Sequence, residues 1–126
     1  MFKLWQSLKN WRPRLADRRR APRYRVRHQA GLALESGTHS AVVRDVSQSG
    51  VRLVCSQRLE TETLARLSLY FQGESLDRQV EVVRCAPEPY GGWEVGLRFL
   101  PQERCEAMRR YLDFARWLSG HLSMAS

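Results

Sequence analysis

The sequence is poor in cysteine and histidine, and this shortage excludes two classes of small protein. Its three cysteines, Cys55, Cys85 and Cys105, are odd in number and widely spaced, and no CxxC pair is present. A disulfide framework and a zinc site are therefore not expected, and we interpret the thiols as reduced. The three histidines are scattered, and none lies at metal-ligand spacing from another His, Cys or acid. No metal is expected.

Long apolar runs are also missing. A helix needs roughly 20 consecutive apolar residues to cross a bilayer, and no stretch of this chain approaches that length. The basic start, MFKLWQSLKNW, interrupts its apolar residues with polar ones and has no small-residue cleavage site. We therefore expect a cytoplasmic protein.

Recognisable catalytic motifs are absent as well. No Ser/His/Asp or Cys/His set has a familiar sequence context, and no glycine-rich loop links a strand to a helix. Acid pairs such as Glu60 and Glu62 are explained by a solvated loop. We expect no enzyme activity and no cofactor. With 126 residues, 43% of them apolar, the chain predicts one folded domain rather than a disordered one.

Positive charge is abundant, and it is concentrated at one end. Residues 1–27 contain ten Lys and Arg against the single acid Asp17, whereas the remaining residues contain 11 basic and 12 acidic side chains. The net charge of +8 therefore comes from the N-terminal arm, and the rest of the chain is nearly neutral. Six of the ten residues in RRRAPRYRVR, residues 18–27, are arginine. Such density indicates an anionic partner.

From Tyr24 onwards, short alternating segments are separated by turn residues. Period-2 alternation of apolar and polar residues is typical of half-buried strands, and six such strands at regular spacing predict an all-β barrel or sandwich. The predicted strands are 25–35, 41–46, 50–55, 64–71, 76–85 and 93–100.

Two segments predict helices instead. At the C-terminal end, apolar residues from Cys105 to Leu118 recur at a period of 3.6, Pro101 suits the first turn, and Gly120 is a natural stop. At the N-terminal end, residues 2–11 predict a short amphipathic basic helix that ends before Pro13. Its apolar face could pack on the barrel or on the other helix, dock to a protein partner, or lie on an anionic membrane.

Two short patterns have the chemistry of an anion and purine site. Arg19 and Arg23 are four residues apart, and each offers a planar fork of donors that fits phosphate oxygens or the O6/N7 edge of guanine. Asp45 can accept hydrogen bonds from the N1 and N2 donors of guanine, Ser47 adds a small polar group, and Gly50 permits close backbone approach. Each pattern alone has a simpler interpretation, namely a solvated basic arm and an ordinary turn.

In this order and spacing, RRAPR followed by DVSQSG resembles the RxxxR and (D/N)xSxxG motifs of the PilZ domain family. WEVGLRFL, residues 93–100, is similar to the late strand of that family. The resemblance covers residues 18–118 and implies a six-stranded antiparallel β-barrel with a C-terminal helix. It divides the chain into a helix and basic arm, 1–17, a PilZ domain, 18–120, and a tail, 121–126.

The resemblance also implies a receptor for the bacterial second messenger cyclic di-GMP, with an arginine arm that folds over the ligand. The motif positions are Arg19, Arg23, Asp45, Ser47 and Gly50. We expect two ligand molecules per chain and signalling to a protein partner. Adjacent guanidiniums complete the predicted ligand-binding set, which is Arg18, Arg19, Arg20, Arg23, Asp45, Ser47 and Gly50.

Two alternatives stay open on the sequence alone. The first is a constitutive nucleic-acid-binding protein that uses the basic arm without base specificity. The second is a PilZ-like scaffold that has lost its ligand, although the intact motifs argue against it.

Overall fold

A computed structural model describes residues 22–102 and 105–125, together with the side chains up to His121. The predicted N-terminal helix and Arg18–Arg20 lie outside these residues. Six strands and one helix make up the described part: β1 (Tyr24–Leu34), β2 (Gly37–Val46), β3 (Gly50–Cys55), β4 (Leu64–Phe71), β5 (Glu74–Pro87), β6 (Trp93–Phe99) and α1 (Glu106–Ala125).

The strands form a closed barrel in the order β1-β2-β3-β6-β5-β4, and every pairing is antiparallel. The predicted all-β class and the six-stranded antiparallel barrel with a C-terminal helix are therefore confirmed. Alternation explains the barrel, because successive side chains of a strand point to opposite faces of the sheet. Many of the inward positions are fully buried aliphatic side chains, among them Leu32, Val43, Leu53, Leu67, Val80 and Val95.

The strand ends differ from the predicted ones where turns are tighter than expected. β2 begins at Gly37, four residues earlier than predicted, because β1 and β2 form one long hairpin closed at Leu34 and Gly37. β5 begins at Glu74, directly after a two-residue turn whose residues Gln72 and Gly73 both have positive φ angles. This is the conformation that the right-handed twist of a two-residue hairpin favours.

The helix α1 packs its apolar stripe on the barrel, mainly on β1. Met108, Tyr111 and Ala115 are buried, and the Tyr111 ring meets Phe71 edge to face at a centroid distance of 5.3 Å. The predicted stop at Gly120 is wrong, since the helix continues to Ala125. A single glycine costs a helix only about 1 kcal/mol.

A histidine joins the helix to the barrel through a partly buried hydrogen bond. The His28 Nε2 atom lies 2.7 Å from the Tyr111 hydroxyl oxygen, and His28 Nδ1 lies 3.0 Å from the Gln29 carbonyl oxygen. The carbonyl can only accept, so Nδ1 carries the proton and Nε2 accepts from the tyrosine. Burial lowers the pKa of His28 below its ordinary value and raises the pKa of Tyr111, because it disfavours the charged form of each.

Candidate functional site

A β-bulge in β2 determines which way Asp45 faces. Val43 pairs with Leu53 and Asp45 pairs with Arg52, so Arg44 is an extra residue on β2. Val43 is fully buried in the barrel, and strict alternation would also send Asp45 inward. The bulge places Arg44 and Asp45 on the outer surface instead, because the two residues of a bulge share one partner.

The carboxylate of Asp45 is held between two guanidiniums. Arg52 Nη2 lies 2.5 Å from Asp45 Oδ2, and Arg23 Nη1 donates to Asp45 Oδ1 across 3.3 Å. The carboxylate is almost completely covered, with 8% of its side chain exposed, whereas 69% of the Arg23 side chain is exposed. Asp45 is thus a desolvated acceptor on the barrel surface, with one tight partner and one loose partner.

The next residues form a tight turn between β2 and β3. The Ser47 N–H donates to the Gly50 carbonyl across 2.8 Å, and the Ser49 N–H donates to the Ser47 hydroxyl across 3.2 Å. Ser47 is buried, with 3% of its surface exposed. Its hydroxyl therefore supports the turn beside Asp45 in this structure.

Gly50 is required by a close approach of two backbones. A Cβ atom at this position would lie only 2.3 Å from the Leu97 carbonyl oxygen on β6, which is far inside van der Waals contact. Glycine at this position therefore allows the first residue of β3 to pair with β6, where Gly50 opposes Arg98.

The structure brings together four of the predicted site residues, namely Arg23, Asp45, Ser47 and Gly50. Arg23 precedes β1, and Asp45 is the last residue but one of β2. Ser47 lies in the turn after β2, and Gly50 is the first residue of β3. Pairing of β1 with β2 makes Arg25 the partner of Asp45, which brings the end of the arginine arm to the carboxylate. The other predicted residues, Arg18, Arg19 and Arg20, lie outside the described part of the chain.

Sequence reasoning missed Arg52. An opposite charge directly across a hairpin from Asp45 would have been a useful signal, because cross-strand pairs of unlike charge attract. Val46 pairs with Val51 beside the turn, so counting one residue further gives Arg52 as the partner of Asp45, and the bulge at Arg44 lies beyond this pair.

Arg52 also begins a wider network of ion pairs along the barrel surface. The Arg52 Nη1 atom lies 3.7 Å from Glu94 Oε1, and Arg44 Nη1 lies 3.8 Å from Glu94 Oε2. Arg44 Nη2 in turn lies 2.5 Å from Glu88 Oε1. These guanidiniums are only partly exposed and are held in place by carboxylates, which stabilises the surface around Asp45.

The arrangement suits binding of an anion or a purine better than metal chemistry. Nowhere in the described residues do three or more His, Cys, Asp or Glu side chains form a group that could hold a metal ion. Among the same residues, no helix is long and apolar enough to cross a membrane. The site instead offers one desolvated carboxylate, exposed guanidiniums and a tight turn.

Comparison with known proteins identifies the family. The family model of the PilZ domain matches residues 17–114, which is most of the chain and includes both motifs. The chain belongs to the PilZ domain family. It is therefore a member of a family of cyclic di-GMP receptors, and the resemblance seen in the sequence is confirmed.

Similar solved structures show the same fold. The structure of Bacillus subtilis Inhibitor of motility (MotI/DgrA) matches this PilZ domain with a TM-score of 0.62 and 13% sequence identity. The match covers 86% of this chain and 52% of that structure, so the chain spans about half the length of the protein it resembles. No curated protein matches the sequence.

Proposed function

We propose that this PilZ domain binds cyclic di-GMP on the barrel surface beside the arginine arm. The observation that carries the proposal is the outward, desolvated carboxylate of Asp45, held by Arg52 and Arg23 next to Ser47. A buried acceptor of this kind rejects ligands that present another acceptor, since an unpaired carboxylate is costly. Guanine presents two donors on its N1/N2 edge, whereas adenine presents an acceptor at N1.

Arg23 has the properties of a group that leaves Asp45 for the ligand. Its contact with Asp45 is long, at 3.3 Å, and most of its side chain is exposed. Because Arg52 stays paired with Asp45 and the Arg23 guanidinium lies largely in water, losing the longer Arg23 contact costs less than losing the Arg52 contact. The planar fork of Arg23 then binds phosphate or the O6/N7 edge of guanine. Arg19, four residues earlier, and the neighbouring Arg18 and Arg20 supply the remaining cations.

Calorimetric titration with cyclic di-GMP, and with cyclic di-AMP as the competing ligand, tests this proposal. We expect the wild-type chain to bind the guanine ligand and to discriminate against adenine. Asp45→Ala is expected to weaken binding and reduce the discrimination, whereas the exposed carboxylate variant Asp77→Ala serves as the control. Discrimination that survives in Asp45→Ala would place this residue in the turn rather than on the base.

The arginines provide a second test. Arg19→Ala and Arg23→Ala each remove a charge-assisted contact, and we expect a loss of about 1.5–3 kcal/mol of binding free energy per variant. Arg23→Lys is expected to weaken binding too, because an ammonium lacks the planar fork. Ser47→Ala is expected to have a smaller effect. Wild-type affinity in the Arg19→Ala/Arg23→Ala double variant would reject the assigned site.

We further propose a non-enzymatic, cytoplasmic adaptor of a bacterial cell, which takes up two cyclic di-GMP molecules per chain. Ligand binding folds the arginine arm onto the barrel and presents a changed surface to a protein partner. Residues 2–11 are the proposed point of contact with that partner or with an anionic membrane surface, because their apolar side chains are costly to expose.

The charge of +9 in residues 1–27 favours one alternative, constitutive binding of nucleic acid. Binding of that kind falls steeply with salt and tolerates any sequence. Titrations at two salt concentrations therefore separate the two functions. A guanine site retains its ligand at moderate salt, whereas loss of all binding between 50 and 200 mM salt, a range over which phosphate contacts lose roughly a thousandfold in affinity or more, would favour the alternative.

A further inference from the structure

One side of α1 carries aromatic rings that the barrel covers only in part. Phe114, Trp117 and His121 follow one another at spacings of three and four residues, so their side chains lie on the same side of the helix. The ring centroids of Phe114 and Trp117 are 6.3 Å apart, and those of Trp117 and His121 are 4.1 Å apart. We call these three residues the aromatic flank of α1.

The aromatic flank continues the core outwards to the surface. The Phe114 ring is partly buried, and its centroid lies 5.7 Å from that of Phe71 and 6.0 Å from that of His28. One turn further along α1, 54% of Trp117 is exposed, and His121 is exposed as well. A large aromatic ring that is continuous with the core and open to water is typical of a contact surface.

The barrel side of this surface is the β4–β5 hairpin. Residues 70–75 line an open hollow of about 550 Å³, and Phe71 belongs both to this lining and to the ring contacts of Phe114. Arg110 Nη2 joins α1 to the same hairpin, 3.1 Å from Glu74 Oε1. The aromatic surface therefore extends from α1 to the hairpin.

The start of β1 lies at the same level of α1 as the aromatic flank. The Arg25 N–H donates to the Ser119 hydroxyl across 3.2 Å, and Ser119 is about 3 Å beyond Trp117 along the helix axis. Ser119 faces the other side of α1, about 200° around the helix, so the preceding chain needs to cross only the width of one helix, about 10–12 Å. Residues 12–21 span up to roughly 33–36 Å when extended. Residues 2–11 can therefore reach the aromatic flank.

Residues 2–11 have the composition that the aromatic flank requires. The apolar side chains of their predicted helix are Phe2, Leu4, Trp5, Leu8 and Trp11. Aromatic rings favour one another in offset or edge-to-face contacts. Lys3 and Lys9 add positive charge, and the last turn of α1, with the sequence LSMA, contains no basic residue that would neutralise the negative end of the helix dipole. The segment and the end of α1 are therefore complementary in shape class and in charge.

We propose that residues 2–11 dock on the aromatic flank of α1 in the ligand-free chain. The apolar face of the segment covers Trp117 and His121, and residues 12–21 are the tether. This contact lies outside the nucleotide site and goes beyond the proposed function. Contact of residues 2–11 with a protein partner or a membrane then requires that they first leave α1.

Amide hydrogen exchange of residues 2–11 in the full chain without ligand tests the proposal. An isolated helix of this length is marginal in water, so we expect docking to slow exchange about tenfold relative to an undocked segment. Trp117→Ser is expected to abolish this protection. Arg116→Ser is the matched control, because Arg116 is the adjacent exposed residue and faces about 100° away. We expect its exchange to stay within about twofold of wild type, as for most surface substitutions.

A second measurement observes the contact from the side of α1. Oxidation of Trp117 by hydroxyl radicals, followed by mass spectrometry, reports how much of its ring is covered. In Trp5→Ser/Leu8→Ser we expect this oxidation to rise about twofold or more, because the apolar face that covers the ring is lost. The fully exposed Tyr90 is the internal reference. This variant leaves the barrel and α1 unchanged, and it therefore decides the question even if Trp117→Ser does not fold.

Four outcomes would overturn the inference. The first is exchange of residues 2–11 that is as fast in wild type as in Trp117→Ser, and the second is protection that persists in Trp117→Ser. The third is protection that increases with protein concentration, which would make a second copy the occupant. The fourth is protection that appears only with vesicles of anionic lipid, which would make a membrane surface the occupant.

Failure of this inference and failure of the proposed function give different results. A wild-type chain that does not bind cyclic di-GMP in calorimetric titration rejects the proposed function and leaves slow exchange of residues 2–11 unaffected. A chain that binds the ligand but shows fast exchange of these residues without it rejects only the docking on α1.

Discussion

Arg52 and Asp45 are direct cross-strand partners on β3 and β2, with Arg52 Nη2 lying 2.5 Å from Asp45 Oδ2. Arg52 thus fixes one oxygen of the carboxylate and leaves the other to the loosely bound Arg23. A ligand that displaces Arg23 finds the carboxylate already oriented. Asp45 therefore has one close ion pair, with Arg52, and one longer ion pair, with Arg23.

Replacing Arg52 is therefore expected to weaken ligand binding through Asp45. In Arg52→Gln the covered carboxylate loses its tight charged partner, and we expect cyclic di-GMP affinity to fall by about 1–2 kcal/mol. Arg52→Lys is expected to restore part of the loss, since the charge is kept and the fork is not. Arg66→Gln is the control in the same titration. Tighter binding by Arg52→Gln would show instead that Arg52 competes with the ligand for Asp45.

Two glycines are expected to respond to alanine in opposite directions. Gly50→Ala places a Cβ atom 2.3 Å from the Leu97 carbonyl oxygen, and we expect the free energy of unfolding to fall by about 1–3 kcal/mol. Gly120→Ala meets no atom within 4 Å in the C-terminal part of α1, so it is expected to raise that free energy by about 0.5–1 kcal/mol. Urea unfolding measures both. Equal stability of the two variants would contradict the close approach at Gly50.

The half-buried His28 predicts a dependence of stability on pH. Its pKa is lowered in the folded state, so between that value and the ordinary 6.5 the unfolded chain binds more protons. The contribution of His28 is fully present above pH 6.5 and is lost as the pH falls through the folded-state pKa. We expect His28→Gln to remove this part of the pH dependence of unfolding, whereas His39→Gln, in the β1–β2 hairpin, leaves it intact. Parallel pH profiles for wild type and His28→Gln would refute the assignment.

Ligand binding is expected to protect the arginine arm. Residues 12–23 are rich in like charge and poor in apolar side chains, so the free arm has little to hold it to the barrel. Amide hydrogen exchange and limited proteolysis after arginine, with and without cyclic di-GMP, measure this protection. The β4–β5 hairpin, residues 64–87, is the internal reference. Unchanged exchange in residues 12–23 would rule out a switching arm.

The number of bound ligands is expected to depend on Arg18. Two stacked cyclic di-GMP molecules carry four phosphate charges, and Arg18 and Arg20 beside Arg19 supply additional guanidiniums for the second molecule. We expect two ligands per wild-type chain and a shift towards one in Arg18→Leu. Calorimetry at protein concentrations well above the dissociation constant measures the ratio. An end point of one ligand on the wild-type chain would make Arg18 a steering charge only.

The sequence by itself determined the class of fold and the two family motifs. Alternation with period 2 predicted six strands, and the 3.6 period from Cys105 to Leu118 predicted the helix, because each pattern depends on neighbours along the chain. The motif residues Arg23 and Asp45 were also predicted, since their spacing is a property of the sequence alone. The predicted ends of strands and helices were less accurate, as for the start of β2 at Gly37 and the predicted helix stop at Gly120. Tertiary contacts can extend a strand or helix beyond the residues whose local pattern predicts it.

Only the tertiary structure decided which side chains share a surface. The bulges at Arg44 and Val83 each shift the pairing register by one residue, and they turn Asp45 and Arg84 to the outer face of the barrel. No local pattern encodes these shifts, because a bulge arises when two strands adjust to the twist and closure of the whole barrel. The row of Asp45, Arg52, Gly96 and Arg84 joins four strands whose residues are far apart in the chain. These residues share a row because the strand order is non-local. That order is decided by how the apolar faces of all six strands pack into one core.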